Sequence, residues 1–287
     1  MSEHPPSVRD ALRVDPDSSD LAAVDPTAFP VGPTSKSAAR DDLTTTGVEL
    51  DELQERLYAE GVAGGGSRRV LLVLQGMDTS GKGGTIRHVA GLVNPHGLRV
   101  HSFSRPTPEE LRHDFLWRVR REVPPPGFIG IFDRSHYEDV LVARVDSLVP
   151  EDVWRERYAL INAFEAELAE EGTTVVKCLL HISPDAQRKR LLARLDDPHK
   201  HWKYDPADLD ARGKWSRYQE AYADVLRECS SPAAPWYAVP SDRKWYRNWA
   251  VGRILLETLR ELDPRYPSVS FDPIAEKGRL LHADPLG

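Results

Sequence analysis

"LLVLQGMDTSGKGGTIRH", Leu71 to His88, is the stretch whose reading decides the fold. It opens on an unbroken apolar run, the pattern of a strand buried on both faces of a parallel sheet. A glycine-rich turn follows, Gly76-Met77-Asp78-Thr79-Ser80-Gly81-Lys82, spaced as G-x-x-x-x-G-K, and the residues after it read as a helix. Glycines let successive backbone N–H groups converge on phosphate oxygens, and the helix N-terminus adds a favourable dipole. Lys82 would bridge phosphoryl oxygens as a point charge. Gly76, Thr79, Ser80, Gly81, Gly83, Gly84 and Thr85 are the accompanying candidate phosphate contacts. Gly83 stands where such loops commonly place the Ser or Thr that ligates magnesium. The loop carries an acid instead. A bare carboxylate among phosphates is repelled unless a cation or proton lies between them, so Asp78 is a candidate metal ligand or hydroxyl-orienting base. The plainer alternatives are a tight glycine turn with a surface lysine, and an Asx residue that stabilises it.

Outward from this stretch, strand-like and helix-like runs alternate. "GLRVHSFS", "GFIGIFDRS", "TTVVKCLLHIS" and "APWYAVPS" are further β-rich runs. Between them the pattern predicts helices over 83–93, 108–122, 136–146, 151–171, 184–195, 213–229 and 242–261, after an opening helix from about Val48. Such alternation predicts an α/β domain with a parallel sheet flanked by helices. We read one domain over 46–270, an arm over 1–45 and a tail over 271–287. The arm is either a disordered tail or an extended segment gripping the domain through Leu12, Val14, Leu21, Phe29 and Val31. "RLDDPHKHWKYDPADLDARGKW", about 194–215, is charged, aromatic and proline-containing, as expected of a mobile lid.

The 287 residues suffice for one large domain, and 40% hydrophobic with 29% charged residues is ordinary for a soluble protein. A net charge of −7 argues against a general nucleic-acid binder. The two cysteines, Cys178 and Cys229, form no CxxC pair, and the histidines show no HxxxH spacing and a single HxH, His199-Lys200-His201, so a zinc site is not expected. No signal peptide and no apolar run of membrane-spanning length is read, so a cytoplasmic enzyme is the expectation.

A second acidic site ends the strand in "GFIGIFDRSHYEDV". Asp133 at the C-terminal end of a parallel strand would hold Mg²⁺, and Arg134 would neutralise charge on a transferred phosphoryl group. The alternative is that Asp133 caps the helix beginning near Ser135. Arg190 and Arg194 lie four residues apart on one helical face toward the lid, whereas Arg188 and Lys189 read as solvated. Lys200 and Lys203 in the lid, with Arg87 and Arg105, complete a set of cations suited to a nucleoside polyphosphate or a longer phosphate polymer. The tryptophans of "HWKYD" and "KWYRNWAV" read as core, with Trp245, Trp249 and Ile254 at helical spacing.

Taken together, "GMDTSGKGGTI", "NPHG", "SFSRPTPEELRHDFLWRV", "GIFDRSHYEDVLVARV", "DDPHKHWK" and "APWYAVPSDRKWYRNWAV" resemble the polyphosphate kinase 2 family over about residues 47–265. The resemblance implies a thymidylate-kinase-like P-loop fold with a helical lid. It also implies phosphoryl transfer between inorganic polyphosphate and a nucleoside mono- or diphosphate, with Mg²⁺, or Mn²⁺ as a substitute. By position it implies roles for Asp78 and Lys82 in the loop, Asp133 and Arg134 after the third strand, and Arg194 and Lys200 at the lid, with Asp78 and Asp133 placing the metal. The "HDFLWR" and "NPHG" variants look most like the subgroup acting on both AMP and ADP, although Asp133 stands where that subgroup often has Asn. A homo-oligomer, dimer or tetramer, is expected by resemblance alone. An ATP-dependent nucleoside monophosphate kinase and a non-catalytic nucleotide-binding protein are the competing readings.

Overall fold

The computed structural model describes residues 6–17 and 20–283. The elements run α1 (Val8–Leu12), α2 (Lys36–Val62), β1 (Arg69–Gln75), α3 (Lys82–Ala90), β2 (Leu98–Ser102), α4 (Trp117–Arg120), β3 (Ile129–Asp133) and α5 (Val142–Val145). They continue with α6 (Glu151–Glu170), β4 (Thr173–His181), α7 (Pro184–Leu195), α8 (Ala207–Gly213), α9 (Trp215–Glu228), β5 (Trp236–Pro240), α10 (Lys244–Leu262) and α11 (Pro273–His282). Each of the five β-rich runs forms a strand. They build one parallel sheet of order β2-β3-β1-β4-β5.

β1 is apolar throughout because both of its faces are covered. Leu71 and Val73 point into one core with α6 and α9, and Val70, Leu72 and Leu74 into the other with α2, α3 and α10. As the central strand it lies between β3 and β4, where the chain's crossovers change direction. In open sheets of this kind the crevice beyond the strand C-termini receives the ligand.

Three expectations are corrected. The helix set to begin near Val48 begins at Lys36, because the Ser35 hydroxyl accepts a hydrogen bond from the Ala38 amide and caps a helix of 27 residues; the arm is therefore shorter than 1–45. The helix expected over 108–122 is broken. Thr107 and Glu110 cap each other reciprocally, the short turn Glu110–Arg112 ends at an extended His113, and the chain restarts at α4. The helix expected over 136–146 also splits, into a 3₁₀ turn His136–Asp139 and α5. There Arg157 draws the Asp139 carbonyl onto its guanidinium at 2.8 Å, away from a helical ladder.

The arm is laid along the domain. Val8, Leu12, Val14, Leu21 and Val31 are buried. The Glu257 carboxylate of α10 accepts from the Ser7 hydroxyl and from the Val8 and Arg9 amides at 2.9–3.0 Å. Arg13 bridges Tyr237 in antiparallel fashion and the Val14 amide donates to Trp236 O, which covers the edge of β5. Further on, Pro26 O accepts from the Asp242 amide, beside the lid. The tail region contains α11, none of whose residues is buried. No helix among the described residues is long and apolar enough to cross a membrane.

Candidate active site

The loop after β1 is shaped by two glycines that no other residue could replace. Gly76 and Gly81 have φ of +148° and +108°. A Cβ on Gly76 would lie 2.7 Å from Leu180 O, and one on Gly81 would lie 1.8 Å from an Arg247 guanidinium nitrogen. Gly81 caps α3 without a side-chain hydrogen bond, so the amides of Lys82, Gly83 and Gly84 are left over by the helix and available to an anion. The Ser80 amide is used inside the loop, on Met77 O at 2.9 Å. Lys82 folds back with Nζ donating to Gly76 O at 2.7 Å. Burial, and secondarily the nearby Arg134 charge, pushes its ammonium below the usual lysine range.

β3 runs beside β1 with Asp133 opposite Leu74, so its C-terminal acid emerges next to the loop. Arg134 takes a left-handed φ of 64° and its amide donates to Leu74 O, which turns the side chain across the crevice. Its guanidinium donates to Asp78 Oδ1 at 2.9 Å and to Glu138 Oε2 at 3.4 Å. Glu138 and then Asp78 hold the Arg134 charge firmly in place, against the cost of burial. Burial raises the Glu138 carboxyl, and Arg134 and Lys82 oppose that shift. Ser135, rather than Asp133, caps the turn that follows.

α7 and the lid supply a basic wall. Ala186, Lys189, Arg190, Ala193 and Arg194 form one helical face along a cavity of about 1000 Å³, which the loop, Asp133, Arg134, the lid and the start of α10 also line. Ten Lys and Arg side chains border it against three Asp, so an acidic chain concentrates positive charge here. Arg194 is held by Lys203 O at 2.8 Å and Asp208 Oδ2 at 3.1 Å. Lys200 pairs with Asp197 at 2.6 Å at the lid's turn.

The cavity brings together Asp78, Thr79, Gly81, Lys82, Gly83, Gly84, Arg87, Asp133, Arg134, Arg190, Arg194, Lys200 and Lys203. Four expected contacts are placed otherwise. Gly76 is buried and not part of the cavity wall, its carbonyl taken by Lys82. Arg105 is exposed and not part of the cavity wall. Thr85 is fully buried with its hydroxyl 3.5 Å from Asn248 Oδ1, because the first helical turn directs it at α10. Ser80 is also fully buried, and it is its carbonyl that meets the surroundings. Arg190 reaches the cavity, but its guanidinium serves the carbonyls of Thr79, Ser80, Ser241 and Asp242 at 2.6–3.0 Å.

Sequence reasoning missed Lys189, Lys244, Arg247 and Trp202, all of which line the cavity. Lys189, read as solvated, sits on the same face as Arg190 and Arg194; counting that face back to Ala186 would have found it. Trp202, read as core, is 79% exposed on the lid with the Lys203 ammonium 4.8 Å from its ring centre. Trp249 and Ile254 are buried as expected.

Asp78 and Asp133 are the carboxylates beside the loop on the cavity wall, and would be the ones to hold a metal ion there. The Asp133 carboxylate makes no hydrogen bond to another described residue, and no cluster of three or more His, Cys, Asp or Glu able to hold a metal occurs among those residues. This donor set fits Mg²⁺, which binds one or two carboxylates and takes its remaining ligands from water and substrate phosphates. It does not fit a metal caged by protein alone.

A parallel sheet, a phosphate loop, an acid at the end of the neighbouring strand and a cationic lid define a P-loop phosphotransferase. The family described as "Polyphosphate kinase 2 (PPK2)" matches residues 33–267. The chain is 52% identical over 255 residues to the AMP/ADP-polyphosphate phosphotransferase of Meiothermus ruber, covering 89% of this chain and 90% of that one. It is 44% identical over 248 residues to the ADP-polyphosphate phosphotransferase of Rhodopseudomonas palustris, covering 82% and 84%. The crystal structure of polyphosphate kinase 2 from Arthrobacter aurescens superposes with a TM-score of 0.94 at 44% identity, covering 99% of both chains. The chain belongs to the polyphosphate kinase 2 family.

Proposed function

We propose that this enzyme transfers the terminal phosphoryl group between inorganic polyphosphate and a nucleoside mono- or diphosphate, with AMP and ADP as acceptors. One observation carries the reading: the phosphate loop continues into a cationic wall along α7, the lid and α10, with ten Lys and Arg side chains around a single cavity of about 1000 Å³. The names of the Meiothermus and Rhodopseudomonas relatives support the same donor and acceptors.

Polyphosphate lies along the wall with its end at the loop, where the amides of Lys82, Gly83 and Gly84 meet the phosphoryl oxygens. An acceptor phosphate oxygen attacks the terminal phosphorus in line. The bridging P–O bond breaks, and the shortened polymer leaves with the electron pair. The attacking oxygen is already ionised, so no base has to remove a proton, and Asp78 serves better as a charge than as a base. Lys82 and Arg134 neutralise the equatorial oxygens, and the lid excludes water that would compete as acceptor. Asp78 and Asp133 would hold Mg²⁺, or Mn²⁺ in its place, which supplies charge neutralisation between the two anions. Exposed Ile274, Leu280 and Leu281 on α11 are in keeping with a homo-oligomer, and nucleotide acceptors with work in the cytoplasm.

The test is to incubate enzyme and polyphosphate with AMP, ADP, GMP or GDP in the absence of ATP. Formation of ADP or ATP is expected. No product without ATP, but product with it, would replace this reading by an ATP-dependent nucleoside monophosphate kinase. Tight nucleotide binding without any turnover would leave a binding protein.

A further inference from the structure

Ion pairing around the phosphate loop is uneven. Arg134 has Asp78 and Glu138, and Arg194 has Asp208. Arg190 and Arg247 line the same cavity, yet neither forms a salt bridge with a carboxylate among the described residues. Arg190 donates only to carbonyls, and the acid nearest to it in charge, Asp242, commits both oxygens to the Ser183 amide and hydroxyl at 2.9 and 2.7 Å. Arg247 is 3% exposed. It donates to Ser80 O at 2.9 Å, and through Nε and Nη2 to Asn248 Oδ1 at 3.1 and 2.8 Å.

We infer that Arg247 is a positioning residue of the phosphate loop and that Asn248 is its neutral partner. With Arg190, Arg247 holds the Ser80 carbonyl outward so that the amides following it face the phosphate. Because Asn248 carries no charge, the guanidinium charge remains for the anion.

Gly81 supports the first half, since its missing Cβ would stand 1.8 Å from the Arg247 guanidinium; the glycine makes room for the arginine as well as for the φ of +108°. The second half follows from burial. A buried guanidinium without a carboxylate is costly, and desolvation followed by Arg190 repulsion lowers its pKa to about 10. It remains charged at neutral pH, and an arriving phosphate chain relieves that cost. A carboxylate at position 248 would supply the same relief permanently, and the anion would then gain less.

This inference rests on the phosphate-binding reading of the cavity, so the experiment separates the two. Inorganic triphosphate is titrated into the full-length wild type and the Asn248→Asp variant by calorimetry, with melting temperatures recorded for both. The expected result is triphosphate affinity about tenfold weaker in Asn248→Asp, the scale of one partly screened charge, with an unchanged or higher melting temperature. Equal affinity in both proteins overturns the inference alone. Absence of binding to the wild type overturns the phosphate-binding reading and the inference with it. Should Asn248→Asp not fold, Arg247→Lys decides. It keeps the charge and loses the fork, so triphosphate affinity within about threefold of wild type is expected with kcat at least about tenfold lower. Wild-type kcat in Arg247→Lys overturns the positioning role.

Discussion

Thr79 and Arg134, which line the same cavity, hold left-handed φ of 63° and 64°. Each such non-glycine residue costs roughly 1–3 kcal/mol, and strain of this kind collects where a backbone must aim something. Here the aimed object is the pair Asp78–Arg134. Asp78→Asn keeps the shape and removes the charge that steadies Arg134. The pair is 28% and 39% exposed, so stability in urea should change by less than about 1 kcal/mol. The rate of polyphosphate-dependent ATP formation should fall at least ~100-fold. Lys82 gives a pH signature. Its lowered pKa means that the ammonium is charged at low pH and is lost, as pH rises, below the usual 10.5. The basic limb of kcat/KM should therefore lie below 10.5, and that of kcat should lie higher, because bound phosphate favours the charged form. A basic limb of kcat/KM at or above the ordinary lysine value would count against Lys82 as the titrating group. The places of Asp78, Lys82 and Asp133 on the cavity wall were legible because motif spacing and strand context give them away. Arg247 was not: it stands among Trp245, Tyr246 and Trp249, a run that reads as core, and a buried arginine leaves no mark in a hydrophobic pattern.

At the scale of elements, α7 works as a ruler: its cavity face repeats every three to four residues and presents cations at Lys189, Arg190 and Arg194. Arg190 and Arg194 are tied down by hydrogen bonds, whereas Lys189 lines the cavity and, on the proposed function, would meet the polymer directly. Lys189→Ala should raise the KM for long-chain polyphosphate several-fold, leave kcat within about twofold, and reduce the salt dependence of KM. A lowered kcat with unchanged KM would remove Lys189 from the polymer track. All five strands were legible, since short β-rich runs bounded by glycine or proline have few other readings; even β2, where Arg99 and His101 interrupt the apolar residues, is announced by Gly97. The helices were less so. Thr107 and Glu110 spell a capping box in the sequence, but nothing local announces that the helix it starts ends at His113. The break after Asp139 is invisible locally because its cause, Arg157, lies on another helix. Tertiary hydrogen bonds overrode periodicity in that turn.

At the scale of the molecule, a net charge of −7 surrounds a cationic cavity. Charge segregated in this way discourages indiscriminate anion binding while focusing the field at one mouth. The arm ties the outside of this body together. Glu257→Ala removes three hydrogen bonds to a charged acceptor, and it should lower stability in urea by about 2 kcal/mol while leaving turnover unchanged, since the anchor lies about 15 Å along α10 from Arg247, which meets the loop. A loss of activity without a loss of stability would place Glu257 in the site's support.

That anchor also fixes an order in time. Ser7 reaches its partner 250 residues later in the chain, and Val14 reaches Trp236. During synthesis the arm emerges long before its seat on β5 and α10 is made. The nascent chain must therefore carry the apolar Val8, Leu12 and Val14 without their native cover until those later elements appear. Docking the arm is a late event of folding, and a chain interrupted before Glu257 lacks the carboxylate that anchors Ser7, Val8 and Arg9.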